Sequence, residues 1–348
     1  MAETNVKVAE QGRLRLSYSS LELFNTCERK FQLEKLLENP MTREESEHLS
    51  FGKAFGAGIG TYLSTGNKDL AIFHCWLNYY PLVENSKGSK KTRWMAVHAL
   101  NCSFRALDTL LEKYEVAEFK GAPAIELSFK LNINETKYFV GHIDVVLRNR
   151  TTGKFYILEV KTTGLQLLDL KPLYQNSGQA LGYSIALDSI VGEELNEYGV
   201  LYFVAQLPAS NAQDNLVKVH TLPFNKTIVD RLGWFVTLGT DVQRMETLEN
   251  LNIFPKRGHS CLKYNRPCNY FGNCNMQNFD VKKDFTKVID DIDYQFEFDL
   301  EELIDTHLSR IANMPATKFA GEDESPGKIE SSNGTGLIID LDKRIEQK

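Results

Sequence analysis

Tyr138–Arg148, YFVGHIDVVLR, and Phe155–Lys161, FYILEVK, are joined by NRTTG at 149–153. Both runs are rich in β-branched and aromatic residues, and the connection carries turn formers, so they read as two strands linked by a hairpin-type turn. Side chains two apart on a strand share a face, which puts Glu159 and Lys161 on the same side of FYILEVK. Two charges closing an otherwise apolar strand are costly unless they are paired or bind a metal. Asp144 lies in the preceding strand, where the hairpin register can bring it beside Glu159.

Upstream, Ile125, Leu127, Phe129, Leu131 and Ile133 alternate with Glu126, Ser128 and Lys130. This predicts a third strand with one buried face and Glu126 on the polar one. Glu126, Asp144, Glu159 and Lys161 converging at a strand end would suit a hard cation. Oxygen ligands favour Mg²⁺ or Mn²⁺, which bridge carboxylates and substrate phosphates and activate water. The lysine would orient that water or neutralise developing charge. A surface hairpin bearing solvated charges is the plain alternative, since E-x-K on a strand is common.

Working outward, SYSSLELFNTCERKFQLEKLL (17–37) reads as a helix with Ser17, Ser19 and Ser20 as possible N-caps. Glycines 52, 56, 58 and 60 suggest close backbone or helix packing. KGSKKTR (87–93) is a basic loop whose Lys87, Lys90, Lys91 and Arg93 suit phosphate contact or plain solvation. The apolar spacing from Trp94 to Tyr114 predicts an amphipathic helix. Downstream come a helix around 175–187, a strand at 200–207, a further strand at 217–222 and a long helix over 227–250. The predicted organisation is a helical region (1–120), an α/β core (121–225), a helix and cysteine-rich segment (226–280), an acidic helical segment (281–319) and a flexible tail (320–348).

The chain has 348 residues and a net charge of −6. Residues 284–305 hold nine acidic groups and one lysine, so the remainder carries about +2 and leaves room for a local basic groove. No apolar run reaches the roughly 18 residues of a membrane span, and the polar N-terminus lacks the core of an export signal. A cytoplasmic protein with no membrane contact is expected. Six cysteines are too few for a disulfide scaffold, so metal, cluster or core duty is expected of them.

Gly141-His142-Ile143-Asp144, then Leu158-Glu159-Val160-Lys161-Thr162-Thr163, then Gln179-Ala180-Leu181-Gly182-Tyr183 resembles the RecB/AddB-type branch of the PD-(D/E)XK nucleases, with its G-x-x-D, E-x-K-T and Q-x-x-x-Y. The resemblance implies a restriction-endonuclease-like mixed sheet of four or five strands flanked by helices. It implies metal-dependent hydrolysis of DNA, by exonuclease action, with a helicase or recombination protein as partner. Asp144, Glu159, Lys161, Gln179 and Tyr183 would be catalytic, and Asp144 and Glu159 would hold the metal. The family often carries a helical histidine in G-x-x-x-H, whereas Gly52-Lys53-Ala54-Phe55-Gly56 has glycine at that place. Glu126 is the candidate substitute ligand, with His142 as the other. A catalytically weak DNA-binding or scaffold subunit is the alternative that this departure leaves open.

Cys27 in the N-terminal helix and Cys261, Cys268 and Cys274 in CLKYNRPCNYFGNC resemble the iron–sulfur branch of the same family. There, one N-terminal and three C-terminal cysteines hold a [4Fe–4S] cluster that staples a helical lobe, and four thiolates are the right number. A four-cysteine zinc site is the competitor, although the tight C-x2–4-C knuckles typical of zinc are missing. Free core cysteines are the third reading. Cys75 and Cys102 are expected to be ordinary residues of helices.

Overall fold

The structure, a computed structural model, describes residues 13–36, 46–80, 89–193, 195–209, 216–263, 266–272, 274 and 293–313. The described residues begin with β1 (Leu14–Leu16), α1 (Tyr18–Thr26), α2 (Glu28–Phe31) and a π-helical turn (Gln32–Leu36). It continues through α3 (Glu47–Thr65), α4 (Lys68–Leu77) and α5 (Arg93–Lys113). The strands β2 (Tyr114–Val116), β3 (Glu118–Phe119), β4 (Ala122–Pro123), β5 (Ile125–Asn132), β6 (Lys137–Asn149) and β7 (Phe155–Thr163) follow. Then come α6 (Leu167–Gln175), α7 (Gly178–Val191), β8 (Glu197–Gln206), β9 (Lys218–Thr227) and α8 (Ile228–Leu251). The last described elements are β10 (Leu262–Lys263), β11 (Arg266–Pro267), β12 (Phe296–Asp299) and α9 (Leu300–Ala312).

The main sheet is mixed and eight-stranded, in the order β12-β5-β6-β7-β8-β9, with β1 and β2 also pairing with β6. The expected four or five strands are all present. The additions, β1, β2 and β12, are three or four residues long, too short to show a period of two. The acidic segment was expected to be helical, yet Phe296–Asp299 pairs parallel with Phe129–Asn132 before α9 begins. Its alternation of Phe and acid is a strand's alternation. The expected single helix at 17–37 is likewise interrupted, because Cys27 is extended (φ −164°, ψ 111°). Ser17 caps α1 in a reciprocal pair with Ser20. The predicted tail from 320 lies outside the described residues. Among the described residues no helix is long and apolar enough to cross a membrane.

The chain divides into two compact units. One comprises residues 1–43, 128–141 and 232–309. Its helices are tied by Glu28, which is buried and receives Arg257 Nε at 2.8 Å and Arg244. Burial alone would raise the Glu28 pKa, but the guanidinium bonds outweigh it and hold it below the ordinary value.

The other unit comprises residues 44–127, 142–231 and those from 310. Leu158, Val145 and Leu201 are register partners on one sheet face, where Phe51, Phe55, Ile59 and Leu100 of α3 and α5 complete the core. Gly58 allows this packing: a Cβ there would meet Leu100 Cδ2 at 2.6 Å and Cys75 Cβ at 3.0 Å. Residues one place along the strands, Glu159 with its partner Tyr202, face the opposite side, where Tyr174 of α6 stacks on Tyr202 at 4.4 Å. The turn between β6 and β7 is closed by Asn149, whose Oδ1 accepts from Thr151 and Thr152 N–H at 2.9 Å, and by Gly153 at φ 74°.

Candidate active site and thiol cavity

The β6–β7 ladder pairs Val145 with Leu158, and one step further along that register sets Asp144 across from Glu159. Asp144 Oδ2 accepts the Val160 backbone N–H at 2.8 Å, which fixes its carboxylate against the neighbouring strand. Lys161 Nζ donates to Glu159 Oε1 at 2.5 Å and to Gln179 Oε1 at 3.2 Å. Gln179 Nε2 in turn donates to Tyr183 Oη at 2.8 Å, one helical turn along α7. Tyr183 also has a hydrogen bond with the His142 backbone. The five residues expected to be catalytic therefore form one connected group, held by two strands and a helix of a single unit.

The electrostatics are those of crowded, desolvated carboxylates. Glu159 is 1% exposed, and burial, then Asp144, pushes its pKa up to about 7 despite Lys161. Burial raises Asp144 as well, against the pull of Lys161 and the Val160 N–H. Burial works against the Lys161 ammonium, but Glu159 and Asp144 together outweigh it and the pKa is raised. Glu126 is exposed as a whole residue, yet desolvation of its carboxyl and the nearby Asp144 push it up to about 7. Its backbone lies at φ 51°, in the left-handed region that costs a non-glycine residue about 1 kcal/mol or more. Strain of this kind persists where the surroundings impose it.

Among the described residues no three histidine, cysteine or carboxylate side chains already form a closed ligand set around one ion. Mg²⁺, however, is usually held by one or two carboxylates, with waters and phosphates completing its octahedron. The donor set fits such an ion, because Glu159 Oε2 is buried and has no hydrogen-bond partner. At Gly56, where the resemblance led to the expectation of a histidine, there is open space, and a Cβ there would meet nothing within 4 Å. The missing side chain reflects the sequence and not a lack of room.

Sequence reasoning missed α6 and with it Tyr174, whose phenol is raised by burial while Lys161 pulls it down. Pro172 inside α6 hid the helix. It also missed a buried knot in the same unit. Arg231, fully buried, lies 3.2 Å from Asp188 of α7, which also takes Arg310. Of the basic loop, Lys87 lies outside the described residues. Lys91 is half-buried, and its pKa is lowered by that burial against Glu47. Arg93 donates to the Tyr79 carbonyl at 2.8 Å.

In the other unit, Cys27, Cys261, Cys268 and Cys274 line one cavity of about 70 Å³ with Lys30, Lys256 and Tyr270. Burial raises the Cys274 thiol, Lys256 and Arg29 lower it, and Cys27 and Cys261 raise it further, as close neighbours would. Four thiols facing one cavity are the right number for a four-cysteine zinc site or for an iron–sulfur cluster. Cys75 is buried in α4 and Cys102 is exposed on α5, outside this cavity.

A comparison with curated proteins finds no match. The family model of the PD-(D/E)XK nuclease superfamily matches residues 15–314, a span that contains Asp144, Glu159 and Lys161 and all four cavity thiols. With the mixed sheet, the two-strand carboxylate pair and the lysine two residues on, that match shows that the chain belongs to the PD-(D/E)XK nuclease superfamily.

Proposed function

We propose that the chain is a Mg²⁺- or Mn²⁺-dependent deoxyribonuclease of the RecB/AddB type, acting as an exonuclease. The observation that carries this reading is the buried, unpartnered Glu159 Oε2 beside Asp144 and Lys161. A divalent ion at these carboxylates would supply an activated water and charge neutralisation at the scissile phosphate. Asp144 and Glu159 would hold the ion, with Glu126 in place of the absent histidine. Lys161 keeps its proton and donates to Glu159, from where its ammonium faces the phosphate oxygens as negative charge builds up. Gln179 orients the ammonium, and Tyr183 anchors Gln179. Hydrolysis adds water across the P–O bond, leaving one phosphate monoester end and one hydroxyl end.

The thiols Cys27, Cys261, Cys268 and Cys274 hold a [4Fe–4S] cluster in this reading, with zinc as the alternative. Residence in the cytoplasm and a helicase or recombination partner complete it. A catalytically weak scaffold subunit is the second reading, favoured by Gly56 alone. Oligonucleotides labelled at the 5′ or the 3′ end, incubated with Mg²⁺, Mn²⁺ or EDTA, separate the two. Metal-dependent release of short products from one end, lost in Lys161→Ala, is expected. Intact substrate with the wild-type chain, or equal cleavage by Lys161→Ala, would sink the nuclease assignment.

A further inference from the structure

The helices that cover the other face of the sheet carry a surface that the carboxylate chemistry does not use. Along α4, Leu70, Phe73 and Leu77 recur at spacings of three and four and are exposed, Phe73 at 55% and Leu77 at 58%, and Tyr80, just past the helix end, is exposed too. An amphipathic helix normally turns such a stripe inward. Here Ala71 and Cys75 face the core instead. Trp94, in the first turn of α5, is 72% exposed and packs edge-on against Trp76 with centroids 4.6 Å apart. The Arg93 guanidinium lies 4.9 Å from the Trp76 ring centroid. A contiguous exposed patch of this kind marks an interaction site.

The charge around the patch selects among partners. The first turn of the 21-residue helix α5 holds no acidic residue and is preceded by Lys90 and Lys91, with Arg93 at its start. Cations at a helix N-terminus oppose the macrodipole. An anion bound there would be attracted by both. Exposed rings next to cations suit unpaired bases stacking in succession while their phosphates lie over the basic turn. Duplex DNA keeps its base faces stacked inside and cannot offer them.

We propose that the outer face of α4 and the start of α5 form a binding site for single-stranded DNA, centred on Trp94 and Phe73 and separate from the carboxylates. The choice of DNA over other polyanions rests on the nuclease reading.

The test is fluorescence anisotropy of a fluorescein-labelled oligothymidylate with the full chain in EDTA, so that binding is read without cleavage. Trp94→Ala should weaken binding on the order of tenfold, the loss expected of one stacking platform. Trp94→Phe should retain most of it, and binding of a duplex of equal length should not change in either variant. A Tm equal to that of the wild type checks that the fold is kept. The proposal is overturned if the wild type does not bind the oligothymidylate, or if a Trp94→Ala, Phe73→Ala chain binds it unchanged. Equal loss on duplex would also overturn it. So would conversion of a dimer to a monomer in light scattering with single-strand binding retained, because the patch would then be a protein contact. Cleavage by wild type and Lys161→Ala is measured separately, so either idea can fail alone.

Discussion

Lys161 Nζ sits 2.5 Å from one oxygen of Glu159 while the other, Oε2, is buried without a partner. The lysine thus neutralises half of a carboxylate and leaves the other half to be satisfied. Lys161→Ala should lower metal-dependent cleavage on the order of a hundredfold or more. Without the ammonium, the Glu159 carboxyl is pushed further up, so the residual rate should need a higher pH than the wild type does. A residual activity with an unshifted pH–rate profile would separate Lys161 from Glu159 functionally and refute the coupling.

Glu126 and His142 compete for the role of the absent histidine. Because the Glu126 carboxyl responds to Asp144 while His142 engages Tyr183 through its backbone, Glu126→Gln should raise the Mg²⁺ concentration for half-maximal rate by about tenfold or more. His142→Ala should change it little. The reverse ranking in metal titrations would transfer the role to His142.

Stability should depend on pH in the metal-free protein, and the sign is set by the raised carboxyls. Glu126 and Glu159 titrate near about 7 in the folded chain, against the ordinary 4.5. A carboxyl whose folded pKa is raised stabilises the fold below the unfolded value, and that contribution is lost as pH rises through the folded one. Tm without metal should therefore fall between about pH 4.5 and 7 from this pair. Glu126→Gln should flatten the slope, and Mg²⁺ should restore Tm at pH 8 more than at pH 5, since binding displaces protons. A metal-free Tm that rises over this interval in wild type relative to Glu126→Gln would contradict the assignment.

The cavity thiols make a prediction that can be seen by eye. Cys27→Ala should remove the brown absorbance near about 400 nm typical of iron–sulfur clusters and lower Tm, whereas the exposed Cys102→Ala should do neither. Full iron content in Cys27→Ala, or zinc with no iron in anaerobically purified wild type, would dismiss the cluster.

Asp188 is the counter-ion of two arginines, one of them fully buried. Asp188→Ala should cost about 3–5 kcal/mol in urea unfolding, because it strands a buried cation. A loss below about 1 kcal/mol would mean that Arg231 is compensated elsewhere.

What could be read in the sequence follows from the length over which a physical pattern repeats. β5, β6 and β7 are eight to thirteen residues long and show their period openly, and the spacing of Glu159, Lys161, Gln179 and Tyr183 needs only strand and helix geometry. β12 is four residues long, and its charges mimic a helix. α6 is concealed by Pro172, so Tyr174 went unplaced. The break at Cys27 depends on bonds from far along the chain, such as Ser260 Oγ to the Thr26 carbonyl at 2.7 Å, and no local reading contains them. The outward stripe of α4 looks like a core stripe in one dimension, because periodicity shows that a face is apolar and not which way it turns.

The cavity that draws one thiol from residue 27 and three from residues 261–274 also constrains the order of events on the ribosome. The carboxylate site is complete in sequence once Tyr183 has emerged, and most of its unit once residue 231 has, with the part from Arg310 still to come. The first thiol, by contrast, waits through synthesis of more than two hundred residues before the other three exist. During that interval Cys27 lacks the three thiols that share its cavity, and Cys75 and Cys102, made in between, do not line it. Assembly of the cavity is therefore a late step, and if it holds the proposed cluster, yield from overexpression should depend on iron supply and reducing conditions more than on the rate at which the sheet forms.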